Sequence, residues 1–103
     1  MENLVFMTFI KNQKEVFYHK KVHECDFVLR EGRKIVEAIQ VTLSLQDEAV
    51  KKREIAGLLE ALEEYQLKEG YIITEEEKDT FEIKGKKIKV VPLYEWVEGH
   101  SKP

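Results

Sequence analysis

The side chains best suited to chemistry in this chain fall between residues 23 and 42. Asp26 stands in the run Cys25-Asp26-Phe27-Val28-Leu29, a carboxylate followed by three apolar residues. Taking a carboxylate out of water is costly unless partners compensate it, so this position calls for a metal ion beside it or for backbone donors and a nearby lysine. Strand alternation over residues 34–42 brings Val36, Ala38, Gln40 and Thr42 to one face and Ile35, Glu37, Ile39 and Val41 to the other. Gln40 and Thr42 then point together, and Gln40 offers a neutral oxygen to any cation that Asp26 holds. His23 and Cys25 are two apart and share a strand face, the spacing of a Cys–His nucleophile pair. The competing reading is a small buried thiol beside an exposed histidine.

These residues need a scaffold, and the apolar pattern supplies one. Leu4, Val5, Phe6, Phe9 and Ile10 predict an amphipathic helix from residue 2 to about residue 12. Residues 15–19 and 24–29 are rich in β-formers and read as a hairpin. Glu31-Gly32-Arg33 is a turn signal, after which the mostly apolar run 34–42 suits a central strand buried on both faces. A long helix follows, with Ser44 expected as its cap and Ile55, Leu58, Leu59, Leu62 and Tyr65 as its apolar stripe, ending near Leu67. Residues 71–74 predict a strand parallel to the preceding one, since strand-helix-strand is the βαβ arrangement. A second hairpin over 79–83 and 87–92, turning at Lys84-Gly85-Lys86, and a short closing helix at 93–97 complete the order.

Composition narrows the function classes. The chain has 103 residues, 43% of them hydrophobic and 36% charged, which suits one α/β domain with a densely charged surface. No run approaches the roughly 18 apolar residues of a membrane span, and the first residues lack a signal-peptide pattern, so a cytoplasmic location without membrane partners is expected. Cys25 is the single cysteine, which excludes an internal disulfide or a multi-cysteine zinc site. Phosphate loops, G-x-G-x-x-G, H-E-x-x-H and G-x-S-x-G are all absent from the sequence. The net charge of −3 conceals a division: +1 over residues 1–42, −7 over 43–82 and +3 over 83–103. Lys84, Lys86, Lys87 and Lys89, with Lys51 and Lys52 on the preceding helix, are the candidate nucleic-acid-binding cations, weighed against the solvated face of a hairpin.

Glu-Asn-Leu-Val-Phe at 2–6, Glu-Val-Phe-Tyr at 15–18, Glu-Cys-Asp-Phe-Val-Leu at 24–29 and Glu-Ala-Ile-Gln-Val-Thr at 37–42 form a series of landmarks. Lys-Lys-Arg-Glu-Ile-Ala-Gly-Leu-Leu-Glu-Ala-Leu at 51–62, Gly-Tyr-Ile-Ile-Thr-Glu at 70–75 and Val-Pro-Leu-Tyr-Glu-Trp at 91–96 continue it. Together they resemble the C-terminal domain of archaeal and bacterial AAA-type ATPases, a domain whose fold is similar to PD-(D/E)XK endonucleases. The resemblance implies a restriction-endonuclease-like α/β fold, with a central mixed sheet flanked by helices. Its order would be α-β-β-β-α-β-β-β with a short C-terminal helix, over residues 1–98, with 99–103 as a flexible tail. Without a phosphate loop the chain is expected to be such a domain detached from its ATPase motor.

In active members of that superfamily the first acidic residue lies at the end of the second strand and the next strand carries Glu-x-Lys. The acids position Mg²⁺ and activate water, and the lysine stabilises charge on the scissile phosphate. By this resemblance Asp26 matches the first acid, and Ile39-Gln40-Val41-Thr42 stands where related domains have Ile-Glu-Val-Lys. Gln40 then occupies the second carboxylate position and Thr42 the lysine position, while Glu2 matches a place that often supplies a further acid. If the site is active, Asp26 and Gln40 are its metal ligands and Mg²⁺ its cofactor. Losing the lysine removes stabilisation worth about 2 to 4 kcal/mol of barrier. Lys51, Lys52 and Arg53 are the candidates to replace it, and Glu37 can replace the carboxylate only through a register shift or bulge. The expected function is a degenerate nuclease-like module that binds nucleic acid or protein. The alternatives are a metal-dependent DNA endonuclease or Holliday-junction-resolvase-like enzyme with an atypical site, and a structural partner domain of an ATPase. Self-association as a homodimer is a further expectation.

Overall fold

In the computed structural model, which describes residues 1–11 and 15–100, local pattern and element order agree closely. The elements are α1 (Glu2–Lys11), β1 (Glu15–Lys20), β2 (Glu24–Glu31), β3 (Lys34–Val41), α2 (Glu48–Glu64), β4 (Glu69–Thr74), β5 (Asp79–Ile83), β6 (Lys86–Pro92) and α3 (Leu93–His100). The expected end of the first helix at Asn12 lies outside the described residues. The closing helix runs three residues past Val97 and takes in Gly99 and His100. Ser101, Lys102 and Pro103, the rest of the expected tail, lie outside the described residues.

The strands form one mixed sheet in the order β1-β2-β3-β4-β6-β5. β1, β2 and β3 are a meander of antiparallel neighbours, β3–β4 and β4–β6 are parallel, and β5 returns antiparallel on β6. Parallel strands need a crossover, and α2 provides it between β3 and β4. Helices therefore cover both faces. Leu58 and Leu62 of α2 pack with Cys25, Val28, Ala38, Ile72 and Ile88; Val5 and Phe9 of α1 and Trp96 of α3 pack with Phe27, Leu29, Ile39 and Ile73. In the second layer Phe9 makes edge-on contacts with Phe27 and Trp96, its ring centre 5.4 and 5.2 Å from theirs.

Two bulges bend the simple alternation. Phe17 pairs with Val28 but His19 pairs with Cys25, so β2 carries one residue more than β1 around Asp26 and Phe27. Cys25 consequently faces α2 while Phe27 faces α1. In β3, Leu29 pairs with Glu37 and Arg30 with Ile35, which leaves Val36 as the extra residue. Val36 was expected beside Ala38 and Gln40; the bulge turns it to the α1 side, and Ile35 to the α2 side. The start of α2 is corrected as well. Asp47, not Ser44, is the cap, its carboxylate accepting the amides of Ala49 and Val50. Ser44 is instead taken by a loop clamp, donating its hydroxyl to Glu77, whose carboxylate also accepts the Leu45 amide.

Candidate functional site

β2 and β3 separate at one end of the sheet, and side chains take over the bonds that the ladder leaves open. Gln40, 1% exposed, accepts the Asp26 amide on Oε1 at 2.8 Å and donates from Nε2 to the carbonyls of Glu24 at 2.8 Å and Glu54 at 3.0 Å. Asp26 reciprocates: its Oδ2 accepts the Val41 amide at 2.8 Å. One buried amide thereby ties the bulged strand β2 to both β3 and α2, and each of its polar atoms has a partner.

The close approach of α2 depends on Gly57. A Cβ there would overlap the carbonyl oxygen of Glu24 and come within 2.5 Å of Gln40 Nε2. With no side chain at this position, the helix backbone lies directly on the Gln40 bridge.

Carboxyl groups converge on the same end of the sheet from both faces. Glu2, in the first turn of α1, makes a side-chain hydrogen bond with Asp26. Glu54 approaches from α2 and is mostly buried. Burial pushes the Asp26 carboxyl up to about 6, opposed by the Val41 amide and reinforced by Glu2 and Glu24. Burial likewise lifts Glu54 to about 7; the charge on Asp26 adds to this, Arg53 opposes it, and Glu2 adds again. The cation nearest to this group by contact is Arg53, 3.9 Å from Glu54 and largely exposed.

Asp26 is bonded to both Glu2 and Gln40, and the Thr42 hydroxyl is committed elsewhere. β3 ends at Val41, and the Thr42 hydroxyl turns to the carbonyl of Ser44 at 3.5 Å. Glu54 escaped the sequence reading. Its signal is its place three and four residues before Gly57 and Leu58, which puts a carboxylate on the buried stripe of α2. Glu37 stays on the strand face opposite Gln40, because the β3 bulge lies before it at Val36.

The Cys–His pair is excluded by position. Cys25 is fully buried, its thiol directed to the carbonyls of Phe27 and Ile39, and burial pushes it up to about 12, so the thiolate is inaccessible near neutrality. The histidine that does make a network is His19. It is 3% exposed, with Nε2 at 2.8 Å from Glu60 and Nδ1 at 3.0 Å from the Tyr65 hydroxyl, so it fastens β1 to the C-terminal half of α2.

The six candidate lysines do not form one patch. Lys51, Lys52 and Lys84 line a groove of about 500 Å³ along α2, with Ile55, Leu59 and Ile83 as its floor and Glu48, Glu60 and Glu63 also on its wall. Lys86, which shares parity with the α2-facing Ile88, donates to the carbonyl of Leu67 at 2.7 Å. Lys87 and Lys89 project to the other face, where Lys89 lies over the Tyr71 ring and 3.6 Å from Glu69. Strand alternation in β6 enforces the split.

The Mg²⁺ expected from the resemblance meets a donor set that does not fit it. The Gln40 oxygen is engaged by the Asp26 amide and one Asp26 oxygen by the Val41 amide. Among the described residues, no group of three or more His, Cys, Asp or Glu side chains is placed to hold a metal ion. No helix among them is long and apolar enough to cross a membrane. Comparison of the chain with protein-family models, with curated proteins and with solved structures gives no match in any of the three.

Proposed function

We propose that this domain is a PD-(D/E)XK-nuclease-like scaffold, related to the C-terminal domains of AAA-type ATPases, that binds a protein partner and does not cleave nucleic acid. The observation that carries the reading is the state of Gln40. At the position where the resemblance calls for a catalytic carboxylate, a buried amide spends its hydrogen bonds on the backbone of β2 and α2. An amide in that role holds the fold and leaves no charge for a hard cation. The order α-β-β-β-α-β and the placing of Asp26 on the second strand support the scaffold part of the proposal.

The surface chemistry favours protein over nucleic acid. A phosphate-binding surface concentrates cations. Here three lysines share the α2 groove with three glutamates around an apolar floor, the mixture of an apolar centre with a polar rim typical of protein interfaces. A partner ATPase fits this reading as one source of the partner chain.

Plasmid nicking with Mg²⁺ or Mn²⁺, run beside Asp26→Ala, tests the proposal together with a DNA titration at two salt concentrations. The expected result is no Asp26-dependent nicking and no DNA binding that weakens steeply with salt. Metal-dependent nicking that disappears in Asp26→Ala would overturn it in favour of an endonuclease built on Glu2, Asp26 and Glu54. Salt-steep DNA binding without nicking would move the partner from protein to nucleic acid.

A further inference from the structure

The free edge of β1 carries a different surface. β1 is the terminal strand of the sheet, so among the described residues the outward amides and carbonyls of Glu15–Lys20 have no partner strand. Its sequence, Glu-Val-Phe-Tyr-His-Lys, is uncharged in the middle and oppositely charged at its ends. Phe17 and Tyr18 are 43% and 56% exposed, one on each face of the strand. Val16 packs towards α1 and His19 bonds to α2, so alternation sets Phe17 on the α2 face and Tyr18 on the α1 face. The register of β1 against β2 shifts between Phe17 and His19, with the extra residue on β2. The opposite edge, β5, reads Asp-Thr-Phe-Glu-Ile; its two acids and lack of a cation disfavour pairing with a copy of itself.

We infer that β1 pairs antiparallel with β1 of a second copy of this chain, extending the sheet across a two-fold axis at Tyr18. The register follows from symmetry. Two identical strands related by an axis normal to the sheet keep their faces, so each residue meets one whose number has the same parity. With the axis at Tyr18, Lys20 lies opposite Val16, and Glu15 of each copy lies opposite Lys21 of the other, one residue past the end of β1, twice over. The two Tyr18 side chains become direct neighbours on the α1 face, and the two Phe17 rings lie diagonal to one another on the α2 face, within aromatic reach. An axis at Phe17 would instead set Glu15 opposite the buried His19 and leave Lys21 without an anionic partner. The Tyr18 register therefore brings both exposed aromatics to the seam and sets Glu15 against Lys21 at each end.

This inference is independent of the groove along α2, whose partner is a different protein. Sedimentation equilibrium of the full chain at submillimolar concentration tests it, with wild type expected to associate reversibly to a dimer. Tyr18→Arg sets two like charges across the axis and is expected to be monomeric while keeping its circular-dichroism spectrum. Glu15→Lys and Lys21→Glu each replace two attractive pairs by two repulsive ones and weaken association roughly tenfold. Mixed together, these two variants regain wild-type affinity as a heterodimer. Within one chain Glu15 pairs with Arg30 and Lys21 with Glu64, so the recovery in the mixture does not come from repairing either fold. A monomeric wild type overturns the inference, as does a dimer indifferent to substitution at positions 15, 18 and 21.

Discussion

Glu54→Gln tests whether the carboxyl cluster at the end of the sheet is a source of stored repulsion. In the fold, burial and the neighbouring acids raise this carboxyl from 4.5 to about 7, equivalent to about 3 kcal/mol of preference for the protonated form. Water still reaches part of the group, and allowing for that screening leaves about 1.5 kcal/mol. The sign follows from linkage. A carboxyl whose folded value lies above its unfolded one takes up protons on folding, so its favourable contribution is complete below about pH 4.5 and is lost as pH rises through about 7. Glutamine does not titrate. The variant should therefore match wild type near pH 4.5 and exceed it by roughly 1.5 kcal/mol at about pH 8. Urea unfolding followed by fluorescence of Trp96, the single tryptophan, measures the difference at each pH. A variant less stable than wild type at the higher pH, or a gain that does not change with pH, would refute the reasoning.

Two further substitutions probe the support beneath that cluster. Gln40→Glu removes the donor to the Glu24 and Glu54 carbonyls and adds a buried charge beside Asp26. A loss of about 3 to 5 kcal/mol at neutral pH, smaller in acid, is expected in urea unfolding, with no nicking gained; a stable, active variant would contradict the structural role of the amide. Gly57→Ala improves helix propensity by about 1 kcal/mol in isolation. Here the added methyl meets the Glu24 carbonyl and Gln40, so a net loss of about 2 to 4 kcal/mol is expected by thermal unfolding. A neutral or stabilising effect would mean that α2 does not lie as close to β2 as described.

Much of the architecture was legible in the chain because its signals are local. Hydrophobic period separates α2 from the strands around it, Gly32 and Gly85 occupy left-handed turn positions, and a helix between two β-runs implies a parallel pair. Asp26 was legible for a related reason, as a carboxylate inside an apolar run. The misplaced details share a cause. Strict alternation put Val36 with Gln40 and carried Thr42 onto the same strand face, but a bulge shifts the first and the strand stops before the second. Ser44 reads as a cap from its type alone, yet its hydroxyl is committed to Glu77, thirty-three positions away. The basic hairpin looked like one patch because its lysines are close in sequence, while the pleat of β6 sends them to both faces.

What the residues determine by themselves is the succession of elements, the apolar stripe of each and the unusual chemistry of Asp26, all of which depend on neighbours a few positions apart. Only the tertiary structure decides that Glu2, Asp26 and Glu54 meet at one end of the sheet, and that Gln40 is a buried bridge there. Those relations arise when α1 and α2 dock on opposite faces of a bulged sheet, with Gly57 setting how near α2 comes. Their energies belong to contacts between residues far apart in the chain, which no local period encodes.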